Sequence, residues 1–381
     1  MRGDAMPHRQ DAMRPIRIAF ISTSRSDFAT IEPVLRGALA DKRFQAKLLI
    51  CGQHLTANTP LPEEIAGIPA LRLRASSESI NGVSQRALYD CLLAEPKDFA
   101  FVVGDRFELL SVLECCTIAR VPIGHCSGGE RTFGAFDDQI RDAATKLAHL
   151  HFVAHKVAAE RVRSLQEENW RIAITGDPGL DSIRQEKRVT PPELEALLGV
   201  SPAKCDIVAA IHPATRSPEE TTIWLQAIAE LSRDFPGRIF LSSPNGDPGS
   251  DAVQACWEKL EAPGKRIVLP TLGAKLFRAL IAACGAFVGN SSAGIWEVPS
   301  LGIPSLDLGS RQAGRLRGNT VWHCEVETAG SLLEMVRLVL SAQIQNACQN
   351  GENPYGDGHA TPRILDHIAQ CIPEPRLMVK E

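Results

Sequence analysis

Ile16-Arg-Ile-Ala-Phe-Ile21, then Ser22-Thr-Ser-Arg-Ser-Asp27, then Phe28, Ile31, Leu35 and Leu39 at helical spacing, form the stretch that decides how the chain is read. A short apolar run, a polar turn and a stripe of helical period predict a strand, a loop and a helix. The unit recurs. Strands are expected at Ala46–Ile50, Phe99–Val103, Pro122–His125, Leu150–Val153 and Ile172–Thr175, with helices at Ala87–Ala94, Phe107–Ala119, Asp137–Ala148 and Ala158–Leu165. Short, mostly apolar strands alternating with helices require a parallel sheet covered on both faces.

After the charged, proline-bearing run Glu186-Lys-Arg-Val-Thr-Pro-Pro-Glu193 the alternation restarts at strand Asp206–Ile211. It continues through helix Thr222–Leu231, strand Ile239–Ser242, helix Ala252–Leu260, strand Arg266–Leu269, helix Ala274–Ala283 and strand Ala286–Val288, then strand Ser305–Leu308 and helix Ser331–Leu340. The expected organisation is a flexible extension over 1–15, an α/β domain over 16–185, a linker over 186–204 and a second α/β domain over 205–381, whose last helix can pack back on the first. Two doubly wound halves of this kind face each other across a cleft, and ligands in such sheets sit beyond the carboxyl ends of the strands. The loops after strands therefore carry the function.

Composition narrows the classes. Of 381 residues 44% are hydrophobic and 23% charged, which excludes a disordered or fibrous chain. A formal charge of −4 gives no general attraction to nucleic acid or to an anionic membrane, so an anionic ligand needs a local site. Eleven cysteines without a C-x-x-C pair read as reduced thiols in a cytoplasmic protein. Met1–Pro15 lacks the apolar core of a signal peptide, and Met6 or Met13 could equally be the natural start.

The loop Gly289-Asn-Ser-Ser-Ala-Gly-Ile-Trp-Glu297 follows a strand and opens a helix. Free backbone N–H groups, the helix dipole and the hydroxyls of Ser291 and Ser292 suit phosphate, with ordinary N-capping as the competing reading. Glu297 can accept both hydroxyls of a ribose. Gly309-Ser-Arg-Gln-Ala-Gly-Arg-Leu-Arg317 gathers Arg311, Arg315 and Arg317, whose guanidinium groups fork onto phosphate oxygens, and Arg25 with Asp27 faces them from the other half. Asp105, in Gly104-Asp-Arg-Phe-Glu108, and Glu130, in Gly128-Gly-Glu130, join Asp137 and Asp138 at a helix start. Carboxylates sharing one cleft can divide acid and base work, although one of two aspartates at a helix start serves as readily as a cap. His212, ending the second half's first strand, faces the same cleft; a lone histidine is more often structural.

Together these pieces resemble the hydrolysing UDP-N-acetylglucosamine 2-epimerases of sialic and legionaminic acid biosynthesis, from about Ile18 to Val321. The matching pieces are Thr23-Ser-Arg-Ser-Asp27, Gly52-Gln-His-Leu55, Gly104 to Glu108, Gly128 through Arg141, Thr145 to Val153, Pro178-Gly-Leu-Asp181, His212-Pro213, Gly289 to Ser300 and Arg311 to Arg315, in that order. The resemblance implies a GT-B-like α/β architecture, two doubly wound parallel-sheet domains facing a cleft, with the nucleotide mainly on the C-terminal domain. It implies Ser291 and Ser292 at the diphosphate, Glu297 at the ribose, and Arg25, His212 and Arg311 at the phosphates or the sugar side. Asp105, Glu130, Asp137 and Asp138, with His212, make the catalytic set. The binding set also takes in Ser26, Asp27, His54, Arg106, Asn245, Asn290, Gly294, Gln312 and Arg315. Two positions depart from the family pattern at the sugar end of the cleft: Ser127, two residues after the His125 of the fourth strand, and Asp142, where the family has a histidine after the arginine.

The reaction so implied converts a UDP-N-acetylhexosamine, either UDP-GlcNAc or a 2,4-diacetamido-6-deoxy analogue, to the free 2-epimer and UDP through a glycal. No cofactor is expected, because Ser22–Asp27 lacks the G-x-G-x-x-G spacing, and no metal cluster is evident. A GT-B glycosyltransferase and a non-catalytic UDP-sugar-binding homologue are the alternatives, since fold does not fix function. A UDP-sugar is the expected partner, without nucleic acid or membrane, in a homo-oligomer, dimer or tetramer.

Overall fold

Strand Ile16–Ser22 (β1) is buried along almost its whole length, as a strand covered on both faces must be. The structure, a computed structural model, describes residues 14–55, 67–74, 82–95, 97–132, 137–186, 189–214, 217–244 and 248–380. Beside β1 lie Phe44–Ile50 (β2), Ala70–Arg72 (β3), Phe99–Val103 (β4), Ile123–Cys126 (β5), Leu150–Val153 (β6) and Ile172–Ile174 (β7), in the order β3-β2-β1-β4-β5-β6-β7. Ile207–Ala210 (β8), Ile239–Leu241 (β9), Arg266–Val268 (β10), Ala286–Gly289 (β11), Ser305–Leu308 (β12) and Val321–Cys324 (β13) form a second sheet ordered β10-β9-β8-β11-β12-β13. Every pairing within these two sheets is parallel. The chain is thus two parallel-sheet α/β domains of GT-B-like fold. Strand order reverses between β1 and β4 and between β8 and β11, so the crevices that receive ligands open at the ends of those strands.

Local patterns account for most of the elements, and the departures have physical reasons. Leu39 is 53% exposed, because the helix Arg25–Ala40 turns Ala38 rather than Leu39 to the core. Strand β3 is three residues at a sheet edge with half-exposed side chains, and β13 carries Trp322 and His323 in place of an apolar run. Neither shows a strand pattern in sequence. With β3 present, His125 belongs to the fifth strand, not the fourth. Within 186–204 the two prolines open a helix, Pro191–Leu198, instead of breaking one. The Thr190 N–H donates to Glu193 at 2.7 Å in a capping box, and Leu194 enters the second domain's core.

The end of the chain returns to the first domain. Ile364, Leu365 and Ile368 of the last helix, Ala360–Cys371, pack into one core with Ile31, Leu35 and Ala38. Gly37 permits this crossing, since a Cβ there would lie 2.5 Å from Thr361 Cγ2. The buried Asp181 carboxylate accepts the backbone N–H groups of Ala360 and Thr361, at 2.9 and 2.7 Å, and so caps the helix. Arg171, fully buried, donates to the carbonyls of Arg376, Leu377 and Val379. All eleven cysteines are unpaired. Among the described residues no helix is long and apolar enough to cross a membrane.

Because Ile368 is wholly buried in this core, Ile368→Ala is expected to cost about 2–5 kcal/mol. Urea unfolding measures it, and a loss below about 1 kcal/mol would contradict docking of the last helix on the first domain.

Candidate functional site

The carboxylates gather on one guanidinium. Asp105 follows β4, Glu130 follows β5, and Asp138 opens the helix Asp137–Leu147. Arg141, one helical turn beyond Asp138 and only 3% exposed, bonds the Asp105 carboxylate, the Asp138 carboxylate at 2.5 Å and the Glu130 main-chain carbonyl at 2.8 Å. Asp138 also accepts the Thr132 N–H at 2.9 Å. Asp138 thereby ties the loop before the helix to Arg141. Asp137 instead has its pKa raised, by burial first and then by the charge of Asp105. A carboxyl that keeps its proton more readily thus lies near a carboxylate paired with arginine, an arrangement suited to dividing acid and base roles.

Glu130 is buried, and its Oε1 lies 3.0 Å from His155 Nε2. The His155 ring meets Tyr355 edge-on at 5.3 Å between centroids, and Tyr355 stacks on Trp296 at 3.8 Å. The Asp177 N–H donates to the Tyr355 carbonyl at 2.7 Å. Burial pushes Asp177 up to about 7, helped by the charge of Glu130 and opposed by the Gly179 N–H. Burial and the same Glu130 charge raise Tyr355. Trp296 belongs to the second domain's loop, so this stack brings Glu130 and the Ser291–Glu297 loop into one cleft.

On the second domain the helix after Ser292 is a single turn, Ala293–Trp296. A helix that short has little macrodipole, which corrects that part of the phosphate argument. The hydroxyls remain, because Ser292 makes no capping bond and Ser291 Oγ has only a 3.4 Å contact from the Ala293 N–H. Glu297 is partly exposed and accepts Arg278 Nη1 at 3.0 Å. Arg311 reaches the Asn290 carbonyl at 3.2 Å, and Arg315 lies over Trp296 with its Nη1 on Gln312 Oε1 at 2.7 Å.

Several binding candidates are engaged in building the loops of the site. Asn290 is buried and exchanges bonds with the His212 backbone, at 2.7 and 2.8 Å, pinning the loop after β8 to the loop after β11. The His212 side chain is half-buried. Gln312 is buried on the Asn290 carbonyl at 2.8 Å. Gly294 is needed for packing, since a Cβ would lie 2.8 Å from the Phe287 ring. Arg317 pairs with the buried Asp307 at 2.6 Å. Asp27 is buried against Thr23 Oγ1 at 2.5 Å, and His54 is buried with Nδ1 2.9 Å from Ser22 Oγ. Arg25 and Ser26 sit exposed on the first turn of their helix, Ser26 Oγ being 2.8 Å from Ser24 Oγ, and Arg106 pairs with the buried Glu108. Asn245 lies outside the described residues.

Sequence reasoning passed over Arg141, Arg161, His155, Asp177, Trp296 and Tyr355. Only Arg141 had a usable signal, its helical spacing from Asp137 and Asp138. Asp142 forms a two-point pair with Arg161, at 2.9 and 3.1 Å, and Arg161 also bonds the Glu130 carbonyl at 3.0 Å.

A family model described as UDP-N-acetylglucosamine 2-epimerase matches residues 38–369. The chain is 26% identical over 334 residues to a GDP/UDP-N,N'-diacetylbacillosamine 2-epimerase (hydrolyzing) of Campylobacter jejuni, covering 84% of this chain and 86% of that one. It is 27% identical over 376 residues to a UDP-N-acetylglucosamine 2-epimerase of Neisseria meningitidis, covering 94% and 95%. The crystal structure of UDP-GlcNAc 2-epimerase from Neisseria meningitidis bound to UDP-GlcNAc superposes with a TM-score of 0.74 at 19% identity, covering 93% of this chain and all of that chain.

The raised Asp177 carries a signed expectation for stability. Its folded value, about 7, exceeds the ordinary 3.8, so between these limits the native state binds more protons than the unfolded state and stability falls as pH rises. Asp177→Asn removes that slope, at most about 1.4 kcal/mol per pH unit. The variant should therefore gain on the wild type between about pH 5 and pH 7 in thermal denaturation, and a pH-independent difference would show that Asp177 does not titrate there.

Proposed function

The chain belongs to the UDP-N-acetylglucosamine 2-epimerase family, and on that premise we propose that it is a hydrolysing 2-epimerase, converting a UDP-N-acetylhexosamine to the free 2-epimer and UDP. The observation that carries the reading is the meeting of two kinds of chemistry through Trp296: the carboxylate cluster on Arg141, and the loops bearing Ser291, Glu297 and Arg311. Redox-free inversion at C2 of an N-acetyl sugar needs both. UDP-GlcNAc and its 2,4-diacetamido-6-deoxy analogue are the proposed substrates, in keeping with the names of the two relatives.

In the first half-reaction Asp105 or Glu130 removes the C2 proton. The freed pair forms the C1–C2 double bond while the C1–O bond breaks, and its electrons leave on UDP. In the second, Asp137 returns a proton to C2 on the opposite face while water adds through its oxygen to C1 of the glycal and passes its proton to the ionised Asp137, restoring the acid. The first base loses its proton to solvent, so the sum is UDP-sugar plus water giving free sugar, UDP and one proton. Charge grows on the departing diphosphate and at C1, so Arg25, Arg311, His212 and the serine hydroxyls at one end, with the carboxylates at the other, act most strongly in the transition state. Glu297, oriented by Arg278, takes the ribose.

Turnover of UDP-GlcNAc and of the analogue in D2O, without acceptor, tests this. The expected product is a free sugar carrying one deuterium at C2, with an equivalent of UDP. Hydrogen retained at C2, a product still attached to UDP, or the donor left intact would each overturn the proposal.

A further inference from the structure

We propose that His155 is a positioning residue for Glu130: a helix-capping imidazole whose capping bond fixes its proton on the nitrogen that faces the carboxylate. The inference rests on the reading of Glu130 as a proton-transfer group and goes beyond it, since neither the family pattern nor the notion of a carboxylate cluster involves this histidine.

Residue 155 is the N-cap of the helix Lys156–Ser164, with extended φ of −149°. Caps of this kind are ordinarily Ser, Thr, Asp or Asn, whose short oxygens reach the backbone easily. Here the Ala158 N–H donates to His155 Nδ1 at 3.1 Å. A nitrogen that accepts must present its lone pair, so the neutral ring carries its proton on Nε2. That atom lies 3.0 Å from Glu130 Oε1, with both side chains nearly enclosed, at 9% and 8% exposure. One bond to the helix therefore selects the tautomer whose N–H stands beside the carboxylate; the two atoms are at contact distance without hydrogen-bond alignment, and since both are buried with no other hydrogen-bond partner, a small turn of the Glu130 side chain pairs them.

The approach is built into the backbone. Gly129 adopts φ of +77°, and a Cβ there would lie 2.2 Å from the Ala158 carbonyl oxygen, so only glycine lets the Glu130 loop come this close to the helix start. Arg141 and Arg161 hold the Glu130 carbonyl from two helices. With the main chain fixed, the side-chain torsions are the remaining freedom, and the His155 contact restrains them at Oε1 and leaves Oε2 for the substrate. Tyr355 packs against the imidazole and Trp296 against Tyr355, so the ring cannot swing away without disturbing the loop that carries Ser291 and Glu297.

His155→Ser keeps a capping oxygen and removes the contact to Glu130. We expect kcat for UDP release to fall by about 10–100-fold, with KM and calorimetric UDP affinity within about threefold and the melting temperature nearly unchanged. An unchanged kcat would overturn the proposal, and so would equal losses of kcat, affinity and thermal stability. Imidazole 15N NMR of the wild type tests the contact without any turnover. The expected signature is a protonated Nε2, a bare Nδ1, and an Nε2–H resonance that shifts in Glu130→Gln. A protonated Nδ1, or a resonance indifferent to Glu130, would overturn the positioning role and leave the epimerase reading standing. The expected resonances in a protein that turns over no UDP-sugar would overturn that reading and with it the catalytic purpose of the contact.

Discussion

Arg141 is the interaction on which the cleft depends. Two carboxylates and a backbone carbonyl from three separate segments converge on its buried guanidinium, with Asp105 and Asp138 themselves only partly covered. Without a buried cation, Asp105 and Asp138 would repel one another and their loops would splay toward water. Removing one partner of such a buried pair typically costs about 3–5 kcal/mol, because the charges left behind have no other compensation. The guanidinium suits this work because its planar fork satisfies several acceptors at once.

Around that centre the topology supplies the rest. Parallel strands deliver their loops at one edge, and the order reversals beside β1 and β8 open crevices where the carboxylates and the loops bearing Ser291 and Arg311 stand. His212 and Ser291 follow adjacent strands, β8 and β11, and Asn290 pins their loops together. The two domains communicate through rings: Trp296 from the second, Tyr355 from the segment that runs back to the first, and His155 beside Glu130. An aromatic bridge of this kind carries packing and orientation across the cleft without a charged contact.

The doubly wound fold was legible because buried parallel strands must be short apolar runs, and the runs at Ile16, Phe99 and Ala286 are just that. Edge strands such as Ala70–Arg72 escape this rule because only part of their surface is covered. The chemical residue types were also legible, but their orientation was not. Asn290, Gln312 and Gly294 sit in the right loops and face inward, and Asp27 is consumed by its own turn. A helix start predicts a cap, but Asp138 instead accepts the Thr132 N–H from the loop that precedes the helix. Asp177, Tyr355 and His155 come from three elements far apart in sequence, and their meeting depends on how the last segment crosses between the domains, which no local pattern encodes.

A catalytic cleft requires the Arg141 cluster to be chemical as well as structural. Arg141→Lys keeps one positive charge and loses the fork, so it should loosen Asp105 and the Glu130 loop while leaving the loops that bear Ser291, Glu297 and Arg311 alone. The decisive measurement is the rate of UDP release from UDP-GlcNAc or its analogue alongside calorimetric UDP affinity. Turnover should fall by about 100-fold with affinity held within about threefold; turnover preserved within a few-fold in a folded variant would show the cluster to be structural only.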